Sequence, residues 1–147
     1  MKTRALVMAA LTALTVMAST RVAQAQEPLV VNIPFDFVAG NQALPAGEYS
    51  VQASGPERTL ILIGRKDLAA SAIINSNAVV ANEIQTQSKL VFNRYGDHYF
   101  LSQVWTAGNS RGRQLLKSGR EKEMAQVAKI EARGQITLVA GLPRTNP

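Results

Sequence analysis

The stretch Lys89-Leu-Val-Phe-Asn-Arg-Tyr-Gly-Asp-His-Tyr-Phe-Leu-Ser-Gln-Val-Trp105 decides the fold. It holds the sole Trp and the sole His of the chain, two of its three Tyr and two of its four Phe. Two β-prone runs, Leu90–Tyr95 and His98–Trp105, flank Gly96-Asp97. A Gly-X pair between such runs favours a type II′ hairpin turn. That turn sets Tyr95 opposite His98, Arg94 opposite Tyr99 and Phe92 opposite Leu101, each pair sharing a face. Strict alternation puts Leu90, Phe92, Leu101 and Trp105 on one side, with Arg94 and Tyr99 near the turn. Val91, Phe100 and Val104 fall on the other, with Tyr95 and His98. Both faces are apolar away from the turn, as in a strand pair covered on both sides.

Working outward toward the N-terminus, Val31, Ile33, Phe35 and Phe37 alternate with Asn32, Pro34 and Asp36 before Val38, which predicts a half-buried strand. Pro34 lacks an N–H for the ladder, so the strand is an edge or bulges there. Gly40-Asn41 breaks it, and Leu44-Pro45-Ala46-Gly47 predicts a tight turn. Tyr49, Val51 and Ala53 then point inward, alternating with Glu48, Ser50, Gln52 and Ser54. After a loop at Gly55–Arg58, Leu60-Ile61-Leu62-Ile63 shows no alternation and predicts a central strand buried on both faces. Arg65-Lys66-Asp67 is a solvated turn, and Ser71–Ala81 predicts a strand interrupted near Asn75-Ser76-Asn77. Phe92, Leu101, Leu62 and Ile63 are the expected core.

Toward the C-terminus, Thr106–Gly112 predicts a loop. Ser118-Gly-Arg-Glu121 has the spacing of a capping box, Ser118 accepting from the Glu121 N–H and Glu121 returning the bond. Met124, Val127 and Ala128 form an apolar stripe at helical spacing, which predicts a helix over Gly119–Glu131. Gly134 ends it, and Ile136–Ala140 is a last strand.

The first 25 residues stand apart from this pattern. Lys2 and Arg4 precede the apolar run Ala5–Ala18, and Ala23-Gln24-Ala25 is an A-x-A site, so residues 1–25 are expected to be a signal peptide. The run is short of the ~20 residues that span a bilayer as a helix, so no transmembrane segment is expected after processing. Residues 26–147 are expected to form a single β-rich domain, with 13 basic against 10 acidic residues. So small an excess is weak evidence for a polyanion, and no nucleic acid is expected as partner. The chain has no Cys, so its core must hold it without disulfides.

Three blocks, Ile33-Pro-Phe-Asp-Phe37 with Gly40, Leu44-Pro-Ala-Gly-Glu-Tyr49 and Leu90–Leu101, occur together with the segment Gly112–Glu121. In this combination the chain resembles a group of small, signal-peptide-bearing bacterial secreted β-rich proteins of unassigned function. The resemblance covers most of the sequence after residue 25. It implies export and a compact β-rich fold, and no catalytic residues to carry over.

The residues offer little conventional catalysis. With one His and no Cys, zinc would need His98 plus carboxylates from distant strands, so no metal and no cofactor is expected. His98 is the only conventional base, Asp97 is badly placed to orient it, and no Gly-x-Ser-x-Gly elbow or phosphate loop is present. Two binding candidates remain. The aromatic tip Arg94, Tyr95, His98 and Tyr99 has interface-prone residue types, although Tyr95 and Tyr99 can serve simply to cover the end of the core. Arg111, Arg113, Lys117, Arg120 and Lys122 form a basic segment suited to an anionic partner, with a solvated loop and helix face as the plainer account. Glu121 and Glu123 interrupt it, and no aromatic is interleaved to stack on bases.

The expected architecture is an all-β antiparallel sandwich or flattened barrel of about seven strands with one C-terminal helix. The expected function is a non-catalytic exported binding or structural domain of the cell envelope. Its partner would be an anionic envelope component or another envelope protein. The rival from another class is a small hydrolase or lyase acting on envelope polymer.

Overall fold

A computed structural model describes residues 28–54, 59–64, 66, 68–128 and 133–141 of the chain. Within them run β1 (Leu29–Ile33), β2 (Phe37–Ala39), β3 (Gln42–Leu44), β4 (Gly47–Ser54), β5 (Thr59–Gly64) and β6 (Ser71–Val80). There follow β7 (Lys89–Tyr95), β8 (His98–Trp105), β9 (Arg111–Leu115), the helix α1 (Gly119–Val127) and β10 (Arg133–Val139). The protein is all-β with one C-terminal helix. The leader over residues 1–25, the loop at Gly55–Arg58, the helix end near Glu131 and the tail from Pro143 lie outside the described residues, as does the Ile63 side chain.

The hairpin forms as its turn chemistry requires. Gly96 has φ 62°, and Tyr95–His98, Arg94–Tyr99 and Phe92–Leu101 are register partners. Beyond that point the register shifts between Val91 and Phe92, so that Val91 faces Gln103 and Leu90 faces Val104. This bulge reverses the expected alternation at the far end of β8, because one extra residue sends every later side chain to the other face. Val104 thereby joins Leu90, Phe92 and Leu101 in the core, and Trp105 moves to the opposite face.

The ten strands build one open mixed sheet, in the order β1-β4-β5-β6-β9-β8-β2-β3, with β7 on the free edge of β8 and β10 beyond it. Ten replaces the expected seven for three local reasons. Pro34 stops the first strand, and the chain crosses from its pairing with β4 to a new one in β2, so one strand becomes two. Gln42–Leu44 is long enough to pair with β2 about the Gly40 turn, where φ is 63°. Arg111–Leu115, whose first two residues were expected in a loop, is strand β9. The sheet is not purely antiparallel either, since β2 meets β8 in parallel at Val38–Phe100.

β6 explains how the sheet wraps its core. It is continuous over ten residues and shows no interruption at Asn75-Ser76-Asn77. Instead it changes partner there: Ser71–Asn75 pair with β5, and Ser76–Val80 pair with β9. Side chains from both halves of the sheet therefore meet in one cluster, which includes Ile33, Tyr49, Leu60, Leu62, Ile74, Phe92, Leu101 and Leu115. An isolated bridge, Val30–Gly141, joins the two far ends. β5 is central but one-sided. Leu60 and Leu62 are buried, while Ile61 is half-exposed and its register partner Ile73 is 77% exposed.

α1 is also less apolar in its packing than its stripe suggested. Val127 is exposed, and the residue it buries most deeply is Glu121. Gly134 is not a helix stop but the second residue of β10. The helix C-terminus is instead held by the Arg133 guanidinium, which donates to the carbonyls of Ala125 and Ala128. A cation at that end suits the helix dipole.

Candidate functional site

Strand alternation splits the aromatic tip between two faces. Arg94 and Tyr99 share the core-side face, and Tyr95 and His98 share the outer one. Arg94 Nε donates to the Gly96 carbonyl at 2.7 Å, which stiffens the turn. The Tyr99 ring stacks on Phe35 with centroids 4.0 Å apart and packs against the core. His98 is exposed. The tip is thus four residues with three different surroundings.

Tyr95 belongs to a polar network under α1 that is buried at Glu121 and opens to solvent at Gln135. Its hydroxyl donates to Glu121 Oε1 at 3.2 Å, and Asn93 Nδ2 donates to the same oxygen at 2.9 Å. Gln135 Nε2 from β10 in turn donates to Asn93 Oδ1 at 3.2 Å. Ser118 Oγ accepts from the Glu121 N–H as the capping box requires. The other half of the box is overruled, because the Glu121 carboxylate turns to the sheet, where a buried acceptor must find donors. Burial, and after it the Glu121 charge, raise the Tyr95 pKa, while Lys117 nearby opposes the shift.

That shift has a sign that can be measured. A folded-state pKa above the unfolded value favours the neutral phenol in the fold. Its stabilisation is complete below the unfolded value of about 10 and is lost as pH rises through the folded value. Tyr95→Phe should therefore flatten the alkaline fall of stability relative to the native protein. Denaturant midpoints at neutral pH and at pH about 11 check this. An identical fall in both proteins would separate Tyr95 from the effect.

Beside the tip lies a groove of ≈ 430 Å³ between the β2–β3 hairpin and the β7–β8 turn. Val38, Leu44 and Phe100 contribute apolar lining, and Asp36, Asp97, His98 and Arg120 contribute polar groups. The wall from β2–β3 is held in place by two bonds that follow from local sequence. Asp36 Oδ1 accepts from the Ala46 N–H at 2.8 Å, and the Tyr49 hydroxyl donates to the Pro45 carbonyl at 2.6 Å. Both pin the Pro45-Ala46 turn. One carboxylate oxygen of the groove therefore has a structural task already. Asp97, His98 and Arg120 are exposed.

The basic segment does not form one surface. Arg111 and Arg113 are two residues apart on β9 and share a face with Leu115, on the core side of the sheet. Lys117 lies beside Tyr95, Arg120 reaches the groove, and Lys122 is exposed on α1. Arg113 is half-buried, and its Nη1 is closed off from solvent with no hydrogen-bond partner among the described residues.

Of the sequence candidates, the groove brings together His98 and Tyr99, and Arg120 of the basic segment joins them there. Arg94, Tyr95, Arg111, Arg113 and Lys117 lie elsewhere. Asp36 and Val38 were not singled out. The signal for them was weak, since the pairing of β2 with β8 places them and that pairing is remote in sequence. Among the described residues, no three His, Asp or Glu side chains converge into a metal-binding group. No helix among them is long and apolar enough to cross a membrane. No family model, curated protein or solved structure matches the chain.

Proposed function

We propose that the protein is an exported, non-catalytic binding domain of the cell envelope, and that its groove takes an anionic segment of an envelope component. One observation carries the reading. The groove brings His98 and Tyr99 of the tip together with Arg120 of the basic segment, beside the apolar Val38, Leu44 and Phe100 and the carboxylates Asp36 and Asp97. Apolar lining with a few convergent polar groups is the usual make-up of a binding site. Export rests on the leader over residues 1–25 and its Ala23-Gln24-Ala25 site.

The rival reading is a small hydrolase or lyase, and it too has an observation behind it: Asp36, Asp97 and His98 line the same groove. Asp36 is the weak member, since its Oδ1 holds the Ala46 N–H. One set of measurements separates the readings. Intact-mass analysis of exported protein is expected to give a chain starting at Gln26. That protein is expected to bind an acidic polysaccharide matrix and to elute as salt rises, because exposed charges are screened within about 8–10 Å at physiological ionic strength. The double variant His98→Ala, Arg120→Ser should lose retention, with stability changed by no more than about 0.5 kcal/mol, as for surface substitutions. Equal retention by both proteins overturns the groove. Shortening of the polysaccharide on incubation, lost in Asp97→Asn, would establish the rival.

A further inference from the structure

The groove carries more chemistry than an anion alone uses. Arg120 and His98 suit a negative group, yet Asp36 and Asp97 line the same walls, so two carboxylates stand there against one guanidinium. A ligand that was only anionic would lose against the carboxylates much of what it gains from Arg120. The protein does not neutralise these acids itself. The side chains of Asp97, His98 and Arg120 are exposed and have no hydrogen bond or ion pair among the described residues. Asp36 commits Oδ1 to the Ala46 N–H and keeps Oδ2 unbonded among them. The groups come from three separate parts of the fold. Asp36 lies in the β1–β2 connection, Asp97 and His98 in the β7–β8 hairpin, and Arg120 in the first turn of α1. Charges of both signs thus border the apolar Val38, Leu44 and Phe100 within one groove.

We infer that the groove takes a zwitterionic ligand of the amino-acid type, a short peptide with a free ammonium, a free carboxylate and a small apolar side chain. The inference rests on the groove being the binding site and says which anion it takes. The carboxylate accepts from the Arg120 guanidinium, whose N–H groups form a planar fork that matches two oxygens. The ammonium donates to Asp97 and to Asp36 Oδ2. His98 adds an imidazole that serves as donor or acceptor at the rim. Val38 and Phe100 take the side chain. Both acids then have a task, which a simple polyanion leaves them without. The volume of ≈ 430 Å³ suits a ligand of this size, since small-molecule sites span about 300–1,000 Å³.

The experiment is a nuclear magnetic resonance titration of the full chain at low ionic strength with alanyl-alanine, its N-acetyl form and its C-terminal amide. The first probe carries both charges, the second only the carboxylate and the third only the ammonium. Backbone amides of Val38, Asp97, His98 and Arg120 report on the groove. The free dipeptide is expected to saturate these shifts and to bind about fivefold more tightly than either blocked form, the upper end for one exposed charge pair. Asp97→Asn should close the gap between free and acetylated peptide, and Arg120→Ser the gap between free and amidated peptide. Both residues are exposed, so the folded spectrum should be kept. Equal affinity for free and acetylated peptide overturns the zwitterion and leaves the anionic groove standing. Equal affinity for free and amidated peptide overturns both. Binding to phosphatidylethanolamine vesicles without saturable dipeptide shifts overturns the peptide in favour of a lipid headgroup. Shifts that saturate with no probe overturn the inference, and salt-dependent retention on the polysaccharide matrix then decides the groove by itself.

Discussion

Phe92→Ala is expected to destabilise the protein by about 3–5 kcal/mol, the usual cost of removing a fully buried aromatic ring. Phe92 is 0% exposed. Its ring meets Phe35 edge-on at 5.2 Å and Phe37 at 5.5 Å, so aromatic contacts from the β1–β2 connection and from β2 converge on it. Its backbone pairs with Leu101 on one side and Ile136 on the other. Neighbours tethered to three strands cannot collapse far into the space, and the cavity term adds to the lost burial. A small domain has about 5–15 kcal/mol in total, so the loss is a large share of it. The denaturant midpoint should fall at unchanged slope. A loss below about 1 kcal/mol would contradict the central place given to Phe92, because cavity costs in a rigid core exceed that figure.

Gly112→Ala is the second large effect, and it works by excess rather than loss. A Cβ on Gly112 would stand 2.5 Å from Trp105 Cε3, with two further indole atoms within 2.9 Å. Gly112 and Trp105 are register partners, and the indole lies directly on the glycine backbone. A fused ring cannot bend away like the end of a lysine, and Trp105 Nε1 is also tied to Gln103 Oε1 at 3.0 Å. Overpacking of this kind costs about 1–3 kcal/mol. The chain has one Trp, so its fluorescence reports the displacement directly. Emission should shift to longer wavelength in Gly112→Ala. Gly134→Ala is the control: a Cβ there meets nothing within 4 Å, and both emission and stability should stay near those of the native protein. Emission unchanged in Gly112→Ala would mean that Trp105 is not seated on β9.

Several features of this protein were legible without coordinates because their causes lie within a few residues. Gly96 at φ 62° is one: a turn that needs positive φ takes glycine, and the turn then sets the register of Arg94, Tyr95, His98 and Tyr99. The Ser118 cap is another, as is the burial of Leu62, Phe92 and Leu101. Fold class follows from such local signals taken together.

What the tertiary structure alone decided are choices among partners far apart in the chain. Ser118-x-x-Glu121 permits the carboxylate to close its capping box, but Asn93 and Tyr95, 28 and 26 residues away, draw it to the sheet. β6 reads as interrupted because its polar middle, Asn75-Ser76-Asn77, is the point where β5 hands it over to β9. The bulge in β8 depends on how β7 pairs with it, and it exchanges Val104 for Trp105 in the core without any local mark. The groove shares this origin. Arg120 lines the same groove as His98 only because α1 is tied to the hairpin through Glu121, Asn93 and Tyr95, and Arg113 is left with an unpaired nitrogen because its neighbours on both strands are Ala78 and Val104. Turn and cap preferences act over a few bonds, whereas a buried donor or acceptor is satisfied by whichever group the fold brings within about 3 Å of it.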